Sequence, residues 1–247
     1  MNIYKYASPV TFYPLAGKMM PYFAVLAAVL GVAGLTMGLF FAPVDFQQGE
    51  VYRIIFIHVA SSWMAMFIYL VMAAYGLLAL SFQTRLASMM IEALAPTGAM
   101  FTALALLTGA LWGKPTWGTY WVWDGRMTST LILLFLYVGY LALIHAIEEQ
   151  KRADKAGALL VIVGSINVPI IYFSVVWWNS LHQGLSVSVK SGTKMAPIMA
   201  LAMLLTALAC WLYSIAVALV RVRAIILERE LENSLENTME NNLGKSR

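Results

Sequence analysis

Residues 21–42, PYFAVLAAVLGVAGLTMGLFFA, contain no Asp, Glu, Lys or Arg. At about 1.5 Å per residue such a run reaches across a hydrocarbon core of ~30 Å. Inside a bilayer each backbone N–H and C=O must find its partner within the segment, so the run predicts a helix rather than a strand. No small-residue cleavage site of the A-x-A kind follows the polar, aromatic segment Met1 to Met20, and the run reads as a retained span. Five more stretches share its character: Val59 to Ser81, Ala93 to Trp112, Met127 to Ile147, Gly157 to Trp178 and Ala196 to Val220. The predicted fold is an all-α integral membrane bundle of six transmembrane helices.

Composition agrees with this reading. Of 247 residues 61% are hydrophobic and only 11% charged, which leaves too little polar surface to cover a soluble globule. The single cysteine, Cys210, lies in an apolar run, so the chain cannot build a disulfide framework or a Cys-based metal site by itself. The net charge of +4 sits in short loops rather than on one face of a domain, which argues against nucleic acid as a partner.

The basic residues set the orientation. One side of the membrane receives Lys5, Lys18, Arg85, Lys151, Arg152, Lys155, Arg221, Arg223, Arg229, Lys245 and Arg247, and the other Arg53, Lys114, Arg126, Lys190 and Lys194. Without Lys245 and Arg247, which are far from any span, the count is still nine against five. Both termini are therefore expected in the cytoplasm, and the loops after spans one, three and five in the periplasm of a bacterial cell. Residues 1–220 read as the six-span domain, with an outer loop at about 113–126. Residues 221–247 read as a cytoplasmic tail that continues the last helix with mixed charges.

The outer loops carry the chemistry. Trp112, Trp117, Tyr120, Trp121 and Trp123 fall close together, and an aromatic belt needs only one or two rings at each helix end. Trp112, at a helix end, is accounted for by such a belt; the rings inside the loop are better read as a platform for a flat aromatic ligand, and a porphyrin has that shape. Asp124 and the indole N–H groups are expected to fix the loop, with Thr128 and Ser129 capping the helix that follows.

His58 and His182 reach the outer surface at similar depth on either side of this loop. Neutral imidazoles from two segments can take the opposite faces of a haem iron. His145, near the inner end of span four, has no such company and is given no ligand role. Arg53 and Arg126 are both outward. Each suits a haem propionate, and each equally suits an ion pair with Asp45, Glu50 or Asp124.

The stretch from Trp117 through Trp123-Asp124 to Ser129 resembles the tryptophan-rich WWD signature of haem-handling membrane proteins. Six spans with one outer His on each side of the signature, and the approach Tyr52-Arg53-Ile54-Ile55-Phe56-Ile57-His58, resemble the CcmC family within that group. The resemblance covers most of the chain outside the tail. Tyr120, Gly125 and Met127 depart from the Trp, Ala and Leu expected in the signature, and the first change keeps a stacking ring.

The resemblance implies that haem b rests at the periplasmic face against Trp117, Tyr120, Trp121, Trp123 and Asp124, with His58 and His182 as axial ligands. It further implies transfer to a CcmE-type haem chaperone in cytochrome c maturation, and association with a CcmD-type small membrane protein and CcmA/CcmB-type transporter subunits. The chain then acts as a transfer protein and not as an enzyme. Two other functions are open to the residues, a bis-histidine b-type cytochrome and an assembly subunit. No charged residue inside the spans marks a polar route across the membrane, so the residues do not support export of haem by this chain.

Overall fold

The computed structural model describes residues 7–178, 182, 187–188, 192–193 and 195–245. Lys5, Lys190, Lys194 and Arg247 of the charge count lie outside the described residues. Helix α1 spans Pro9–Thr36 and ends in a π turn, Met37–Phe41. A 3-10 turn, Glu50–Ile54, leads into α2, Ile55–Phe82, and α3 runs over Arg85–Trp117. Then follow α4, Gly125–Ala146; α5, Gln150–Gly164; α6, Asn167–Trp177; and α7, Pro197–Lys245. Two short strands, Val187–Ser188 and Gly192–Thr193, pair antiparallel between α6 and α7.

Among the described residues six helical units are long and apolar enough to cross a membrane, and the chain is a multi-pass membrane protein with the all-α architecture read from its sequence. The helices outrun the apolar stretches that predict them. Hydropathy marks where the hydrocarbon must be; helix continues wherever backbone bonds and side-chain packing allow. Thus α1 begins at Pro9, inside the segment read as a polar lead, and α3 begins only two residues after α2 ends. The fifth span is two helices. Pro169 lacks the N–H that would bond Ser165 O and its ring crowds that carbonyl, so the chain breaks at Ser165-Ile166 and restarts at Asn167.

The core lies where α2, α3, α4, α5 and α7 meet, around Met64, Tyr69, Met72, Leu133, Tyr137 and Val161, all essentially without exposed surface. Gly98 makes it possible. A Cβ there would fall 2.2 Å from the Tyr137 ring, and in its absence Tyr137 reaches across to donate to the Ala65 carbonyl at 2.8 Å. Helix α1 packs chiefly along α7.

At one end of the bundle the charges read as tail are packed. Val222 and Ile226 of α7 are buried against Met89 and Ala93 of α3. Arg229, 8% exposed, takes Asp154 of α5 with both guanidinium nitrogens at 3.0 and 3.1 Å and Glu92 of α3 at 2.5 Å. This group ties three helices at one level.

Gly98→Ala should destabilise the chain by about 1–3 kcal/mol through overpacking against Tyr137. A melting curve in detergent checks this, and an unchanged midpoint would contradict the packing described.

Candidate functional site: two histidines on one cleft

The opposite end is organised by the short segment between α3 and α4. Gly118, with φ of 80°, ends α3 in the left-handed conformation and returns its N–H to the Lys114 carbonyl at 3.0 Å. Asp124 begins α4 as its N-cap, Oδ1 accepting the Met127 N–H at 2.8 Å. The loop is therefore only residues 118–124, shorter than the 113–126 read from sequence, because Gly113 to Trp117 are still helix. The expected caps Thr128 and Ser129 do not serve. Ser129 bonds back to the Gly125 carbonyl, and the Asp124 carboxylate has taken the amide.

The second carboxylate oxygen, Oδ2, lies 2.9 Å from His182 Nδ1. Burial lowers the His182 pKa below its ordinary value, against the opposing pull of Asp124. At pH 7 the imidazole is accordingly neutral, and the contact is an N–H donated to a carboxylate rather than an ion pair. Nδ1 carries the proton and Nε2 keeps its lone pair. The edge of Trp117 holds the same ring, centroids 4.7 Å apart.

His58 is matched to this arrangement from the α2 side. Its Nδ1 meets Thr108 Oγ1 of α3 at 3.0 Å, and Trp112 sets its ring edge-on at 5.7 Å. Trp112 is in turn fixed by its indole N–H, which donates to Gln48 Oε1 at 2.8 Å. The two histidines, 124 residues apart in sequence, line one narrow cleft of about 40 Å³. Ser62, Met66, Gly109, Arg126 and Thr130 are also on its walls, so it reaches two helical turns inward from His58.

The other candidates divide. Arg126 is on the cleft. Arg53 is not among its lining residues: it pairs with Glu50 and donates to the Gly38 carbonyl at 2.7 Å, tying the start of α2 to the end of α1. Of the loop aromatics, Trp117 reaches the cleft through His182, and none of Trp117, Tyr120, Trp121 and Trp123 is on its walls. Trp121 and Trp123 pack edge to face at 5.3 Å, with Trp123 75% exposed and the Trp121 indole N–H buried without a hydrogen-bond partner among the described residues. Tyr120 is exposed beneath Lys114, whose ammonium lies 5.3 Å from its ring centre. His145 bonds the carbonyl of Leu141 in its own helix.

Sequence reasoning missed Thr108 and took Trp112 for a belt residue. The signal for both was their spacing, since i and i+4 on α3 share a face, which is the face His58 meets.

Fold and site together define a polytopic membrane protein that presents two imidazoles to a single cleft. The chain belongs to the CcmC family: the sequence profile of heme exporter protein C matches residues 2–237. It is 42% identical over 229 residues to heme exporter protein C of Escherichia coli K12, covering 93% of this chain and 92% of that protein. Heme exporter protein C of Haemophilus influenzae is 47% identical over 186 residues, 75% of this chain and 76% of its own length. A ccmC-like mitochondrial protein of Marchantia polymorpha, named for cytochrome c biosynthesis, is 45% identical over 159 residues, 64% of this chain and 67% of its own length.

With ¹⁵N-labelled histidine, His182 should give the Nδ1–H tautomer at pH 7 and take its second proton only below pH 6.5, the ordinary midpoint. Asn at position 124 has one acceptor oxygen where Asp has two, so Asp124→Asn should lose either this tautomer or the α4 cap. An Nε2–H form in the unsubstituted chain would contradict the assignment.

Proposed function

We propose that this chain binds haem between His58 and His182 and hands it to a periplasmic haem chaperone of the CcmE type during cytochrome c biogenesis. The observation that carries the reading is the convergence of two imidazoles on one cleft, His182 with its proton held on the far nitrogen by Asp124. A carboxylate behind the ring is what iron-binding histidines commonly use, because it fixes the tautomer and raises the basicity of the ligating nitrogen. The relatives' name, heme exporter protein, supplies the class of ligand.

The cleft also supports the anionic part of haem. Arg126 gives it a guanidinium, and Ser62 and Thr130 give hydroxyls, while its remaining walls are mostly apolar. Arg126 therefore takes a propionate, and Arg53, already held by Glu50 and a carbonyl, stays structural. The exposed rings of Tyr120 and Trp123, in the loop that carries Asp124, offer surface for the outgoing haem or its acceptor.

The positive-inside bias supports a periplasmic position for this end of the bundle, with both termini in the cytoplasm of a bacterial inner membrane. Two imidazoles on one cleft suit a chain that binds haem and passes it on. The CcmD-type and CcmA/CcmB-type proteins are its expected company in the membrane.

Purified chain should carry haem with a six-coordinate spectrum, and His58→Ala or His182→Ala should weaken or abolish that signal, whereas His145→Ala should not. Mixing the loaded protein with a purified CcmE-type acceptor should move haem to the acceptor as a covalent adduct. Haem that survives repeated exposure to acceptor, yet cycles between oxidation states with a quinol, would replace the transfer reading with that of an electron carrier.

A further inference from the structure

The two imidazoles are held by unlike acceptors, and the difference bears on which of them lets go. This rests on the reading of His58 and His182 as axial ligands. Thr108 Oγ1 lies 2.6 Å from the Leu104 carbonyl and 3.0 Å from His58 Nδ1. A carbonyl only accepts, so the one hydroxyl proton is committed to Leu104. Toward His58 the Thr108 oxygen can then act only as acceptor. The proton between them belongs to Nδ1, and Nε2 is left with its lone pair.

Neighbouring positions on α3 lock the ring in place. A Cβ at Gly109 would stand 3.0 Å from His58 Cε1, and Trp112 meets the ring edge. Thr108 is itself buried, 7% exposed, which leaves little room for water to replace it. At the other histidine the acceptor is a carboxylate, Asp124 Oδ2. Bonds to an ionised acceptor are about twice as strong as those to a neutral one. A carboxylate behind an imidazole therefore makes Nε2 a markedly better donor to a metal, and a neutral hydroxyl that is already donating elsewhere does so far less.

We propose that Thr108 is the positioning residue that keeps His58 in its ligating tautomer, and that His58 is the weaker axial ligand, displaced first when an acceptor takes the haem. In that step the bond from His58 Nε2 to iron breaks and a bond from an acceptor imidazole forms. One neutral nitrogen donor replaces another, so no electron or proton is exchanged, and His182 with Asp124 behind it retains the iron until the acceptor is attached.

The test uses haem-loaded full-length chain in detergent, with an apo-globin as scavenger, and records release rate and spin state together. Thr108→Val keeps the shape and removes the hydroxyl acceptor, leaving only the Ala105 carbonyl near the His58 ring. It should shift the iron from six- to five-coordinate and speed release about 10- to 100-fold, the usual scale for an outer-shell partner. Thr108→Ser, which keeps a hydroxyl, should restore the six-coordinate signal. His58→Ala should hold haem longer than His182→Ala and should regain six-coordination with added imidazole. A Thr108→Val chain with the native spin state and release rate would overturn the positioning role. Faster release from His58→Ala than from His182→Ala would overturn the order of displacement, and that comparison decides even if Thr108→Val fails to fold. If neither histidine variant alters the spectrum, it is the haem-binding reading that fails.

Discussion

The site end of this molecule depends on what one carboxylate does with its two oxygens. Asp124 Oδ1 satisfies the Met127 amide at the start of α4, and Oδ2 receives the proton of His182 Nδ1. The first bond decides where the helix begins; the second decides which imidazole nitrogen is offered to the cleft. Because a single side chain makes both, the chain segment after α6 is referred directly to the backbone of α4. Gly118 completes the geometry by ending α3 six residues earlier with a positive φ that most side chains disfavour. A loop this short, fixed at both ends by helix termini, leaves its tryptophans little freedom in direction.

From that fixed point the rest of the site follows by packing. α3 carries Thr108, Gly109 and Trp112 on one face, and α2 brings His58 against it. α2 is held in turn by the core, where Tyr137 of α4 passes over Gly98 of α3 to reach the Ala65 carbonyl. The helices that line the cleft therefore also carry close core contacts, which is how a cleft can be kept open in an otherwise close-packed bundle. At the far end the Arg229, Asp154 and Glu92 group joins α7, α5 and α3. The two carboxylates more than offset the single guanidinium, and this makes the burial of Arg229 tolerable where an isolated arginine would not be.

Much of this was legible in the sequence, in proportion to how local the signal was. The spans could be read because hydrocarbon tolerates no charge, and the pair of histidines because both stand at the same level beside one aromatic loop. Helix ends were less legible: Lys114 and Pro115 look like loop, yet both belong to the last turn of α3. Nor could the sequence separate Arg53 from Arg126, since both lie outward near acidic residues. Only the folded chain turns Arg53 toward Glu50 and Gly38 and Arg126 toward the cleft. Thr108 was hidden for a different reason. A threonine in an apolar helix usually bonds its own backbone four residues back, and Thr108 does so as well, while its remaining lone pair does the work at His58.

The central claim is that His58 and His182 take the same iron from opposite sides through their Nε2 atoms. Pulsed electron paramagnetic resonance on ferric haem-loaded chain, prepared with ¹⁵N-labelled histidine, tests it most directly. The account predicts a low-spin iron coupled to two histidine nitrogens, with one coupling lost in His58→Ala and the other in His182→Ala. Coupling to one histidine only, or a pair that persists when either residue is replaced, would contradict it.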